Sequence, residues 1–85
     1  MKIELFYSPG CERCARAKAD LRAIAEATVN DVEWREIDVL DALDRAVEVG
    51  VLTLPALAID GTLAFAALPT PTQLRQELLR RVKHG

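Results

Sequence analysis

Hydrophobic and polar positions change period along this chain, and each change marks an element. Ile3, Leu5, Phe6 and Tyr7 form a short apolar run over residues 2–7 that stops at Ser8-Pro9-Gly10. Aromatic and branched residues bounded by Pro-Gly predict a strand. From Cys11 to about Thr28 the residues Cys14, Ala17, Leu21, Ile24, Ala25 and Thr28 recur at threes and fours, which predicts a helix with one core-facing stripe. Glu12/Arg16, Arg16/Asp20 and Arg22/Glu26 set opposite charges one turn apart on its outside. Each such pair adds about 0.2–0.5 kcal/mol.

Asn30-Asp31 is a turn, and Val32 to Val39 predicts a second strand whose Glu33, Arg35 and Glu36 suit a charged sheet edge. Asp41 as N-cap and Gly50 as left-handed stop bracket a short helix with Leu43, Ala46 and Val47 inward. Pro55 to Ile59 predicts a third strand, Asp60-Gly61 a hairpin turn and Thr62 to Ala66 the return. Thr70, Pro71 and Gln73 make a capping box that opens a last helix. Pro69 and Leu74 are placed to staple its start, and Leu74, Leu78 and Val82 supply its buried stripe. The order is β-α-β-α-β-β-α. Helical crossovers join the first three strands, so these are expected to run parallel, with the hairpin adding one antiparallel strand. The fold class is α/β: a four-stranded mixed sheet with helices on both faces.

Composition narrows the class. A chain of 85 residues, 51% hydrophobic and 28% charged, is expected to be a single globular domain spanning residues 1–85. Net charge is −2 with both signs interspersed, which leaves no basic footprint for nucleic acid. No apolar stretch approaches the roughly 20 residues that span a bilayer. Met1-Lys2-Ile3-Glu4-Leu5 enters a strand pattern directly, without the features of a signal peptide. The expectation is a cytoplasmic monomer. In that compartment a single cysteine pair is catalytic or metal-binding more often than a structural staple.

Cys11 and Cys14 stand three residues apart where the predicted helix begins. Residues at that spacing share a helix face, so both sulfurs can reach disulfide range. The unpaired N–H groups and positive end of the helix dipole favour a thiolate at the first of them. Such a site lowers a cysteine pKa into the range of about 3.5–7.5. Cys11 is therefore the candidate nucleophile and Cys14, beside Ala17 and Leu21, the resolving thiol for thiol–disulfide exchange. Arg13 and Lys18 would favour the thiolate and Glu12 would oppose it.

Phe6-Tyr7-Ser8-Pro9-Gly10-Cys11-Glu12-Arg13-Cys14, Val51-Leu52-Thr53-Leu54-Pro55 and Ala66-Ala67-Leu68-Pro69-Thr70 together resemble the thioredoxin superfamily. The chain is similar in particular to the small, glutaredoxin-sized thioredoxins of archaea and bacteria, and the likeness runs over nearly its whole length. The resemblance implies a thioredoxin fold and a disulfide oxidoreductase acting on protein disulfides. It implies a cis Leu54–Pro55 bond that presents the Leu54 backbone to substrate. The chain has no Gly-rich dinucleotide motif, so electrons are expected from a separate thioredoxin-reductase-like donor, with no cofactor beyond a Cys11–Cys14 disulfide. Three positions depart from the family pattern. Glu12-Arg13 replaces the usual dipeptide between the cysteines, Leu5 stands where larger thioredoxins bury an acid, and Ala66-Ala67 stands near the Gly-Gly with which glutaredoxins bind glutathione. The last departure argues against glutathione dependence, and the second leaves the proton shuttle without a named residue.

Other candidates carry structural alternatives. Tyr7 shields the cysteine pair or is an ordinary core aromatic. Pro9, Leu54 and Leu68, with Pro69, form an apolar rim for a partner protein or simply pack the end of the sheet. Trp34 packs on the edge strand, His84 is uninformative, and Arg80, Arg81 and Lys83 suit the last turn of a helix. Two rivals stand against exchange. Cys11 and Cys14 supply half of a tetrahedral zinc site, which a dimer or outside ligands would complete, as they would an iron–sulfur cluster. Alternatively the domain binds partners without catalysis.

Overall fold

The structure, a computed structural model, describes residues 1–9 and 12–84, with the backbone alone described at 12–15, 83 and 84. Within them the elements follow the expected order. These are β1 (Lys2–Tyr7), α1 (Glu12–Thr28), β2 (Glu33–Asp38), α2 (Leu43–Val49), β3 (Ala56–Ile59), β4 (Thr62–Phe65) and α3 (Pro71–His84). The strands make one sheet in the order β2-β1-β3-β4. β2 is thus the charged edge its sequence predicts.

The interior strand β1 buries Ile3, Glu4, Leu5 and Phe6 in succession, and its alternation assigns the helices to faces. Ile3 and Leu5 meet Leu21 and Ala25 of α1, Leu57 and Ile59 of β3, and Leu74 and Leu78 of α3. Phe6 points the other way, to Val39, Ala46, Val49 and Ala58. β3 follows the same rule: its large residues face two helices, and Ala58 faces α2. Helices therefore cover both faces, as expected.

Strand direction differs from expectation at one place. β1 and β2 are parallel, from Lys2 beside Glu33 to Tyr7 beside Asp38. β1 and β3 are antiparallel, with Ile3 opposite Ile59 and Phe6 opposite Ala56. The chain enters β3 at the end of the sheet where β2 left it: the link of residues 39–55 lays α2 across the sheet face and does not return to the other end.

Local signals at turns are mostly obeyed. Asp60 and Gly61 take positive φ of 52° and 82° in the β3–β4 turn. Gly50 takes φ 90° and donates to the carbonyls of Ala46 and Val47. The Gln73 amide N–H donates to Thr70 Oγ1 at 3.1 Å, and the Thr70 N–H donates to Gln73 Oε1 at 2.9 Å. Along α1 the Arg22–Glu26 pair forms at 3.5 Å.

Three expectations are corrected. Ala42, not Asp41, occupies the N-cap of α2, without a side-chain cap bond; Asp38 organises that turn instead, its carboxylate accepting the Leu40 N–H at 2.9 Å. On α2, Ala46 and Val49 are buried while Leu43 and Val47 are 60% and 78% exposed. On α3 the buried stripe ends at Leu78, and Val82 is half exposed because the helix outruns the core.

The rotation of α2 has a visible cause in Glu4, which is buried on the same face of β1 as Phe6. Arg45 grips it bidentately, Nη2 to Oε1 at 2.7 Å and Nε to Oε2 at 2.9 Å. The Arg45 hydrogen bond is the main cause that holds the Glu4 carboxyl below its ordinary pKa; burial opposes it, and the charges of Arg45, Lys2 and Arg35 assist it. A depressed folded-state pKa contributes stability above the unfolded value, near 4.5, that is lost as pH falls through the folded value. Glu4→Gln should therefore be less stable than wild type at pH 7, and should show a shallower loss of stability between about pH 5 and pH 2. Urea denaturation across that range reads both effects, and parallel acid limbs in the two proteins would refute the assignment.

Candidate active site

In the sequence the cysteine motif follows β1, and its positions 12–14 fall on the first turn of α1. Cys11 lies outside the described residues, as do the side chains of Glu12, Arg13 and Cys14; position 14 falls on the first turn of the α1 backbone. The surroundings can be built from the flanking chain. Because Phe6 pairs with Ala56, the end of β1 and the start of β3 are neighbours. Tyr7-Ser8-Pro9 therefore leaves the sheet beside the Leu54-Pro55 segment that enters it. Residues distant in sequence meet here only because β3 is antiparallel to β1.

The Leu54–Pro55 peptide is cis. Leu54 is 40% exposed, Pro9 is exposed, and Pro55 is partly buried. Thr53 Oγ1 donates to the Ala66 carbonyl at 2.6 Å, which ties the segment before β3 to the one after β4. Leu68 is half-buried and packs against the core cluster of α1 and α3. Pro69 is buried, so it belongs to the packing beneath the rim and not to the rim itself.

Tyr7 is half-buried on the face that carries α1. Lys18 Nζ stands 5.4 Å from its ring centroid and 3.3 Å from Glu36 Oε1. The other oxygen of Glu36 accepts the Trp34 Nε1–H at 3.1 Å. Lys18 is thus held between Tyr7 and the edge strand β2. Trp34 packs against the α1/α3 cluster, as its edge position suggests. Arg80 and Arg81 both reach Glu77 on α3.

Several contributors have no signature in the sequence. Glu4 and Arg45 are 41 residues apart, and Lys18 finds its carboxylate on another element; no spacing rule connects either pair. Thr53 was visible only as part of a Thr-Leu-Pro string, and its bond to Ala66 needs the β3–β4 hairpin. Among the described residues, no three His, Cys, Asp or Glu side chains gather as a metal site would require, and no helix is long and apolar enough to cross a membrane. The two cysteines, on which a metal site would depend, fall outside that set.

Thr53→Val should cost about 0.5–1.5 kcal/mol and loosen the segment that carries Leu54. Hydrogen exchange should rise at residues 52–54 and 66–68 and stay unchanged in α1. Unchanged exchange at both loops would show that the bond is not what joins them.

Comparison with known proteins adds to this geometry. A family model described as a thioredoxin domain matches residues 1–79. A thioredoxin of Methanocaldococcus jannaschii is 33% identical over 82 residues, covering 96% of both chains. A probable thioredoxin of Methanothermobacter thermautotrophicus is 28% identical over 74 residues, 87% of each. Among solved structures, thioredoxin 1 of Thermosipho africanus superposes with a TM-score of 0.79 at 23% identity, covering 99% of this chain and 97% of that one.

Proposed function

The chain belongs to the thioredoxin family, and from that premise we propose that it is a thiol–disulfide oxidoreductase that reduces protein disulfides through Cys11 and Cys14. What supports the proposal is that the end of β1, whose chain leads on to Cys11-Glu12-Arg13-Cys14, lies beside the Leu54-Pro55 segment that enters β3.

In the forward direction the Cys11 thiolate attacks one sulfur of a target disulfide. A Cys11–target disulfide forms, and the second target sulfur leaves as a thiolate that takes a proton. The Cys14 thiolate then attacks Cys11 Sγ, which releases the first target sulfur in the same way. The target gains two electrons and two protons, and Cys11–Cys14 becomes the disulfide. A separate reductase returns the electrons, so the domain needs no organic cofactor of its own. Helix N-terminal N–H groups support the Cys11 thiolate, while Glu12 and Arg13 pull in opposite directions. Leu54 and Pro55 offer backbone to the extended target, with Tyr7, Pro9 and Leu68 at the margin of the site.

Two variants separate the steps. Cys14→Ser should accumulate a covalent Cys11–target adduct on mixing with oxidised insulin, visible by mass after acid quenching. Cys11→Ser should form none and should lose insulin reduction to the assay background. A Cys11–Cys14 potential near or below about −270 mV marks a reductant, and one nearer about −120 to −180 mV marks oxidase or isomerase work. Failure of the wild-type pair to form an intramolecular disulfide at any redox poise would remove the exchange mechanism.

A further inference from the structure

The link between β2 and β3 holds large apolar residues that the core does not use. Leu40, Leu43, Val47 and Leu52 are 68%, 60%, 78% and 95% exposed, and Leu54 is 40% exposed. Apart from Leu40 they are not scattered. Leu43, Val47, Leu52 and Leu54 line a single apolar groove of about 180 Å³ together with Val39 and Val51. Isolated exposed leucines need no explanation, whereas a contiguous apolar patch marks a place where something binds.

The rim of the groove says what. At 3.6 residues per turn, Leu43 and Val47 form one stripe of α2 and Asp44 and Glu48 form the next. Asp38 ends β2, and Asp41 stands in the turn just before α2. From position 38 to position 54 the chain carries these four acids and a single base, Arg45. Arg45 is turned onto Glu4 and onto Glu48, the latter at 3.1 Å. The groove therefore has an apolar lining, and the chain segment that forms it carries more negative than positive charge. A second copy of this chain would bring the same acids to meet them, and like charges across an interface oppose association.

We infer that this groove is a docking surface for target proteins that present an apolar segment flanked by lysine or arginine. The inference rests on the exchange function proposed above, and it narrows the targets of that site. Leu54 belongs both to the groove and to the segment proposed to meet the target backbone. One extended target segment can therefore place its apolar residues on α2 and run on toward the cysteines.

Single-turnover oxidation of the reduced protein tests this, read by thiol alkylation and mass. Two disulfide-bearing peptides are compared, identical except that their Leu-Leu segment is flanked by lysines or by glutamates. The small uncharged 2-hydroxyethyl disulfide serves as the reference oxidant. At low ionic strength the lysine peptide should react roughly tenfold faster than the glutamate peptide, with the ratio shrinking toward one at about 0.5 M salt. Asp41→Lys with Asp44→Lys should abolish or reverse the preference. Val47→Ser should slow both peptides, and all variants should react with the reference disulfide at the wild-type rate. Equal rates for the two peptides, or a preference that survives the aspartate substitutions, would overturn the docking surface. A dimer in sedimentation that Val47→Ser dissolves would assign the groove to a second copy and overturn it too. Loss of reaction with the reference disulfide in the wild type would mean that exchange itself has failed, and the docking inference would fall with it.

Discussion

A four-stranded sheet whose interior strands bury residues on both faces cannot survive with one face in water, and β1 sets that demand here. Ile3 and Leu5 require α1 and α3 on one side; Phe6 requires α2 on the other. Most of the architecture follows from meeting both demands within a short chain. α1 returns the chain to lay β2 parallel to β1, and the hairpin of β3 and β4 closes the opposite flank. α3 then completes the first face. With only seven residues left for the second face, α2 covers Phe6 and Ala58 and little else. The small second core is a consequence of the shortness of α2.

That entry is also what assembles the proposed site. If β3 ran parallel to β1, Pro55 would lie at the opposite end of the sheet from Tyr7. Because it runs antiparallel, the segment 53–55 arrives beside the residues that lead into the cysteine motif. Thr53 then holds that segment to Ala66, so three chain crossings meet at one end of the sheet. Lys18, Glu36 and Tyr7 brace the neighbouring flank from α1 and β2. The chemistry proposed for Cys11 thus stands on backbone placed by long-range pairing, although the motif itself is local.

This division explains what could be read in advance. Elements announced by their own residues were legible: the strand before Ser8-Pro9-Gly10, the Asp60-Gly61 turn, the Thr70–Gln73 capping box and the Gly50 stop. Each is a preference of a few neighbouring residues for one backbone shape. The cysteine motif is likewise local in sequence, but its side chains lie outside the described residues. What escaped was whatever depends on a partner far along the chain. A helical crossover suggested a parallel β3, but strand direction is set by which strand β3 pairs with and how, and no local signal in the link encodes that. The inward face of α2 was ambiguous because Leu43 with Val47, and Ala46 with Val49, are both apolar pairs at helical spacing. Asp41 lost the cap because Asp38, at the end of β2, was better placed to hold the turn.

The choice between the two faces of α2 can be decided by magnitude. Rolling the helix to bury Leu43 and Val47 in place of Ala46 and Val49 would add about three buried carbon groups, worth about 2 kcal/mol. The same roll would carry Arg45 away from Glu4. A buried carboxylate that loses its charged partner costs about 3–5 kcal/mol, more than the apolar gain. Glu4 therefore selects the smaller hydrophobic face for the core and leaves the larger one outside. The exposed leucines and valine of α2 follow from one acid in the middle of β1, whose ion pair turns a packing helix into one that also presents an apolar surface.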